Sequence, residues 1–232
     1  MDTQERVTAL VKVTDMGADS AMIMATRMGE VKRTPLEDFS LVRSNGLIAT
    51  DLEAGDELVA AQLASEGDEV IMVSHRGQSI LFPVSQLRSA SRTSGGVRGL
   101  KLDADDKLVA MDIVDPHGLL LVVSENGIGK LTSLSAYPRQ HRGGGGVRTL
   151  RVTDKTGGVA ASLVAHPGHE LMIVSGEGIL IRTQVDDIST LGRDTQGVML
   201  MRLEQGDKVV SCACLDTTNG SAKPEKQGPD AP

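Results

Sequence analysis

The segment of this 232-residue chain best equipped for chemistry is Arg139-Gln140-His141-Arg142-Gly143-Gly144-Gly145-Gly146. Four successive glycines expose backbone N–H groups without side-chain hindrance, and the arginines beside them offer planar forks of donors. Such a loop can lie flat against a phosphate backbone, N–H groups and guanidinium engaging the oxygens. The same residues also suit a plain hairpin loop that needs positive φ at several positions. Further cations recur along the chain: Lys32, Arg33, Arg43, Arg76, Arg92, Arg98, Lys130, Arg148, Arg182 and Arg193. On one rim of the molecule they would continue the surface begun by Arg142.

Other reactive residues suggest no chemistry. Cys212 and Cys214 fall on one face of a strand without a second cysteine pair to complete a metal site, and are read as packing residues. The histidines (His75, His117, His141, His166, His169) lack metal-ligand spacing. Asp103, Asp105 and Asp106 read as a solvated turn. There is no phosphate-binding P-loop, nucleophile elbow or acidic metal triad. The sequence therefore gives no reason to expect an enzyme, a cofactor or a metal.

What must position the cations is a unit repeated four times. A Ser or Thr stands three residues before a Gly at Thr26/Gly29, Ser74/Gly77, Ser124/Gly127 and Ser175/Gly178, each closing an apolar run, and the glycines lie 48, 50 and 51 residues apart. A second marker, an Arg three or four residues before a Gly, recurs at Arg43, Arg92, Arg142 and Arg193, followed by Leu47, Val97, Val147 and Val198. A third is a strand-like run beginning at Leu58, Leu108, Val159 and Val209, with an extra copy starting at Val7. The runs are short, rich in Val, Ile, Leu and Met, and bounded by Gly turns, so each unit reads as three or four β-strands. Units of this size cannot bury their own apolar faces and must stack.

The expectation is an all-β, propeller-like β-pinwheel of about 50-residue repeats, spanning 1–215 with units near 14–61, 62–111, 112–161 and 162–212. Residues 7–13 are expected to complete a neighbouring sheet. The stretch 216–232, poor in apolar residues, reads as a disordered tail. Aromatic residues make up only 1% of the chain, against propeller families whose blades depend on them and against base-stacking single-strand binders. No apolar run is long enough to span a membrane, and the first residues lack a signal peptide's apolar stretch, so no membrane contact and a cytoplasmic location are expected. A net charge of −7 speaks against nucleic-acid binding unless the charges separate. They can, because acids gather at Asp51, Glu53, Asp56, Glu57, Asp103, Asp105 and Asp106, whereas cations gather at the two repeat markers.

The run 140–146 resembles the Q-R-R-G-G-K-G box of the C-terminal domains of DNA gyrase A proteins, which belong to the type IIA topoisomerases. The stretches 24–34, 92–100 and 192–200 are similar to that family's repeats, and the likeness extends over roughly 6–215. Here Gly145 replaces the family's Lys and His141 one Arg. The box also sits in the third repeat, as in the later, box-like loop of some gyrases, notably actinobacterial-type ones, whereas the family's principal box lies in the first of six blades. The resemblance implies a β-pinwheel in which one strand of each repeat completes its neighbour's sheet and double-stranded DNA bends around a basic rim without sequence preference. It implies an accessory, nucleoid-associated module working with the breakage-reunion core of gyrase A and with gyrase B in an A2B2 holoenzyme that supercoils DNA using ATP. Tyr137, the only tyrosine, would not be the cleaving nucleophile of that core. Two alternatives stand beside it. One is a protein-interaction module on the same fold. The other is a topoisomerase IV C-terminal domain, whose box is degenerate or absent, so 140–146 favours gyrase.

Overall fold

In a computed structural model the described residues are 7–13, 20–41 and 46–216. Each repeat folds as a hairpin plus a returning strand. In the first blade the hairpin is β1 (Ser20–Thr26) and β2 (Glu30–Pro35), and β3 (Leu58–Ser65) pairs with β1. The second blade uses β4 (Glu69–Ser74), β5 (Gln78–Pro83) and, beyond the short β6 (Val97–Arg98), β7 (Leu108–Ile113). The third uses β8 (Leu119–Ser124), β9 (Ile128–Ser133) and, beyond β10 (Val147–Arg148), β11 (Val159–Ala165). The fourth uses β12 (Glu170–Ser175), β13 (Leu180–Gln184) and, beyond β14 (Val198–Met199), β15 (Val209–Leu215). A single 3-10 turn follows each hairpin, where the sequence around Pro35 to Phe39 allows no more than one turn.

The two-residue strands link the units. Each leaves its own repeat and adds to the outer strand of the preceding blade: β6 on β2, β10 on β5, β14 on β9. Sheets 1 to 3 thus have four strands, and the fourth, β13-β12-β15, has three. The returning strands β3, β7, β11 and β15 stand side by side and form the hub. Donated strands and the loops before them lie at the opposite edge of the first three sheets and form the rim.

Burial explains why the hairpin strands read as unbroken apolar runs instead of alternating ones. On β4, Val70 and Met72 enter a core shared with Ile23 and Val31 of the first blade, whereas Ile71 and Val73 enter a core shared with Leu120 and Val122 of the third. A strand buried on both faces has no polar side to show. The last blade tests this argument. Leu171 and Ile173 of β12 face the third blade and are buried, but Met172 and Val174 on the other face are half-exposed.

The Ser/Thr-x-x-Gly marker is a braced turn. Ser74 Oγ accepts the N–H of Gln78 (3.2 Å) and donates to Asp106 (2.6 Å), whose other oxygen accepts the N–H groups of Arg76 (2.9 Å) and Lys107 (2.8 Å). Asp56 and Asp207 accept from Met28 and Glu177 in the same way, at 2.9 and 3.1 Å. In the third repeat Thr156 takes the place, receiving the Asn126 N–H on its carbonyl at 3.1 Å. One member of the acidic cluster is therefore a structural strut.

The expectation for 7–13 needs correction. These residues form no strand and add to no sheet, with Val7 71% and Leu10 96% exposed. Their apolar alternation matches the hub strands, but every hub position beside a described hairpin is already filled by that repeat's own strand. The tail beyond 216 and Arg43 lie outside the described residues.

Candidate nucleic-acid interface

The rim is a ladder of loops in which the Arg of the second marker has one recurring task. Arg92 Nη1 donates to the Ile48 carbonyl (2.6 Å), Arg142 Nη1 to that of Arg98 (3.3 Å) and Arg193 Nη1 to that of Arg148 (3.1 Å). A backbone bond runs the other way at each step: Asp51 N–H to Ser94 O (3.1 Å), Lys101 N–H to Gly144 O (2.8 Å) and Arg151 N–H to Thr195 O (3.0 Å). Each of these arginines spends one Nη1 hydrogen on the preceding repeat and keeps others at the surface. The marker serves architecture first and leaves charge to spare.

Lys32 and Lys130 do not belong to that surface. They occupy equivalent positions on β2 and β9 and are 3% and 0% exposed. The Lys32 ammonium donates to the carbonyls of Arg92 (2.7 Å), Ser94 (2.7 Å) and Ala49 (3.1 Å). That of Lys130 donates to Gly192 O (2.5 Å), Arg193 O (2.5 Å) and Thr195 Oγ1 (2.9 Å). Both tie the following repeat's loop to the blade beneath it. Burial pushes the Lys130 ammonium down to about 8 from its ordinary 10.5, with Arg193 adding repulsion and Asp194 partly restoring it. Above pH 8 the folded chain releases this proton while the unfolded chain still holds it, so stability should rise with pH until both forms have lost it. Relative to Lys130→Met, the wild type should therefore gain stability between about pH 8 and 10.5, by up to about 1.4 kcal/mol per pH unit. Parallel profiles of the two proteins in urea unfolding would show that the buried amine carries no such linkage.

The remaining cations fall into two groups. Arg33 pairs with Glu66 (3.5 Å), Arg76 with Asp105 (3.5 Å), Arg139 with Glu69 (2.5 Å), Arg148 with Asp194 (3.3 Å), and Arg182 with Glu170. Arg76 belongs to the braced-turn end of its blade, with the acids, and Arg182 to the last blade. Arg92, Arg98, Arg142 and Arg193 make no ion pair among the described residues. Arg88, Lys101 and Arg202 likewise make no ion pair among the described residues; Lys101 and Arg202 share one repeat position with Arg151, four residues after Val97, Val198 and Val147, whereas Arg88 occurs in one repeat alone. Arg33, Arg88 and Arg142 line one groove between the first blade's outer strand and the loops of the next two repeats, a groove with no carboxylate in its walls among the described residues.

The glycine run lies along this groove's edge, bound differently from its expected pose. Gly143 N–H donates to Gly99 O (2.5 Å) and Gly144 N–H to His141 O (3.4 Å), so two of the four amides face the protein. Gly145 is exposed, with open space where a Cβ would stand. Gln140 N–H continues the ladder on Leu81 O at 2.8 Å, and His141 is exposed. Tyr137 is buried, its hydroxyl 2.6 Å from Thr149 Oγ1, and burial raises its pKa. Burial likewise pushes the Cys212 and Cys214 thiols up to about 12 and 11, which keeps them protonated and poorly nucleophilic.

The family described as "DNA gyrase C-terminal domain, beta-propeller" matches residues 22–65, 68–115, 118–165 and 169–216, one stretch per blade. The DNA gyrase A protein of Dehalogenimonas lykanthroporepellens is 45% identical over 217 residues, covering 91% of this chain and 27% of that protein. That of Halalkalibacterium halodurans is 49% identical over 216 residues, 93% of this chain and 26% of the relative. The chain thus spans about a quarter of the length of these relatives. Among solved structures, a DNA gyrase A C-terminal domain superposes with a TM-score of 0.81 at 27% identity, covering 88% of this chain and 68% of the other. A topoisomerase IV C-terminal domain superposes at 0.87 with 21% identity, covering 93% and 68%, a likeness of fold.

Proposed function

Because the chain belongs to the family of DNA gyrase C-terminal domains, we propose that its rim binds double-stranded DNA without sequence preference and bends it, as an accessory module of DNA gyrase. One observation carries the reading. The stapled loops hold Arg92, Arg98, Arg142 and Arg193 without carboxylate partners among the described residues, and the loops that carry Arg92 and Arg142 border a groove walled by Arg33, Arg88 and Arg142. A line of backbone-anchored cations suits phosphates, which recur along a duplex whatever its sequence. No helix is presented for reading base edges in the major groove, since the described helical elements are 3-10 turns of three or four residues.

On this reading the acids at the braced turns point the duplex to the rim, and the net charge of −7 does not oppose binding because the field is local. Cleavage and ATP turnover would lie with the gyrase A core and gyrase B as partners. A protein-interaction module remains the competing reading and predicts no duplex affinity.

The test is fluorescence anisotropy with a labelled duplex of mixed sequence at low salt. Arg142→Ala should weaken binding by about 1–2 kcal/mol, roughly tenfold, the scale of a charge-assisted hydrogen bond. Failure of the wild-type chain to bind at all would remove the proposal. Equal affinity of the Arg142→Ala protein would take the glycine-run loop out of the interface.

A further inference from the structure

The loop junctions along the rim are not built alike. In the first and third blades the following loop is gripped by a buried ammonium, Lys32 or Lys130, but the equivalent residue in the second blade is Ile80, which offers no hydrogen bond. The loop seated there is the one with the glycine run, whose four successive glycines give its backbone wide conformational freedom. Its grip comes instead from Gln86, in the 3-10 turn Val84–Gln86 of the preceding repeat. Gln86 Nε2 donates to the Gln140 carbonyl (3.2 Å), its Oε1 accepts the Arg142 N–H (2.9 Å), and its own carbonyl accepts Arg142 Nε–H (3.2 Å). Together with Nη1 on the Arg98 carbonyl, this fixes both ends of the Arg142 side chain and, among the described residues, leaves Nη2 unengaged beside a groove whose walls hold no carboxylate. The equivalent residues of the next two repeats are Ala136 and Asp187, and neither makes such a clamp.

The geometry points to Gln86 as a positioning residue of the DNA interface: it replaces the missing lysine, orders the glycine run and aims the Arg142 guanidinium at phosphate. The inference rests on the reading of the rim given above and goes beyond it by making this second-blade junction dependent on a residue that the repeat pattern does not contain. Preorganisation is the physical gain. An arginine already held at two donors loses less freedom on meeting an anion than one swinging from a glycine loop.

The experiment compares the full chain with Gln86→Met, which keeps length without polarity, and Gln86→Asn, which keeps the amide without its reach. Each is also combined with Arg142→Ala. The readouts are duplex affinity and its salt slope, with amide exchange at Gly143 and Gly144 as the measure of loop order. Both single variants should bind roughly three- to tenfold more weakly. Their log–log salt slope should fall by about one unit, as when one phosphate contact is lost, and exchange at the two glycines should speed up. In the Arg142→Ala background neither substitution should weaken binding further. Wild-type affinity and slope in both Gln86 variants, with Arg142→Ala still impaired, would overturn the assignment while leaving the interface standing. Additive losses in the double variants would overturn it too, by showing that Gln86 does not act through Arg142. An Arg142→Ala chain that binds normally would remove this loop from the interface and the inference with it.

Discussion

Gly127→Ala should cost about 3–5 kcal/mol of stability, whereas Gly178→Ala, at the same place in the next repeat, should cost only about 1. Both glycines sit in the same turn at positive φ, 74° and 84°, where an added Cβ is strained whatever surrounds it. The difference lies in what docks on them. A Cβ on Gly127 would fall against the Met201 carbonyl of the following repeat, whereas nothing stands within 4 Å of one on Gly178. The Gly127 carbonyl moreover accepts the N–H groups of Leu200 (2.8 Å) and Met201 (3.1 Å). Gly29 is met in the same way by Leu100 O, 2.7 Å from its Cβ position, and Gly77 by Leu150 O. The marker glycine is thus a turn and a landing site at once, and the last repeat isolates the first role. Urea unfolding of the two variants measures both terms. Equal losses would mean that the turn alone matters and that inter-repeat docking tolerates a methyl group.

The same comparison shows how much of the molecule is written in the chain. Repeat period, strand content and hairpin turns were legible because each recurs for one physical reason: Ser74, Ser124 and Ser175 close the same turn, and Val70 to Val73 must face two cores at once. The identity of the rim residues was legible only in part. Lys32 and Lys130 look in sequence like surface cations, yet they are buried among loop carbonyls supplied from about 60 residues away, a pairing that no local pattern reveals. Arg92, Arg142 and Arg193 of the second marker share one place in the fold, and their recurrence reflects stapling to the preceding repeat as well as charge. Gln86 and Arg88 are illegible for the opposite reason, since each occurs in one repeat alone and no periodicity marks it. The segment 7–13 carries the hub-strand pattern without a hairpin to receive it among the described residues.

Duplex affinity should fall by roughly three orders of magnitude between 50 and 200 mM salt, with a log–log slope near −5. The figure follows from which cations are free to act. Lys32 and Lys130 are spent on carbonyls. Arg33, Arg76, Arg139, Arg148 and Arg182 each hold a carboxylate that a phosphate would have to displace, so their net contribution is small. Arg88, Arg92, Arg98, Lys101, Arg142 and Arg193 have no such partner among the described residues, and all lie in the rim loops or in or just beyond the donated strand β6, whereas Arg202 stands in a hollow walled by Glu204 and Asp207. Six phosphate contacts at about 0.9 counterions each give the expected slope, and a fourfold rise in salt then multiplies the dissociation constant roughly a thousandfold. Sequence should matter little, because phosphate contacts position a duplex without reading it. A slope near −10 would require the ion-paired arginines to abandon their carboxylates and join the contact. A slope near zero, or binding to one sequence alone, would mean that the rim recognises something other than the phosphate backbone.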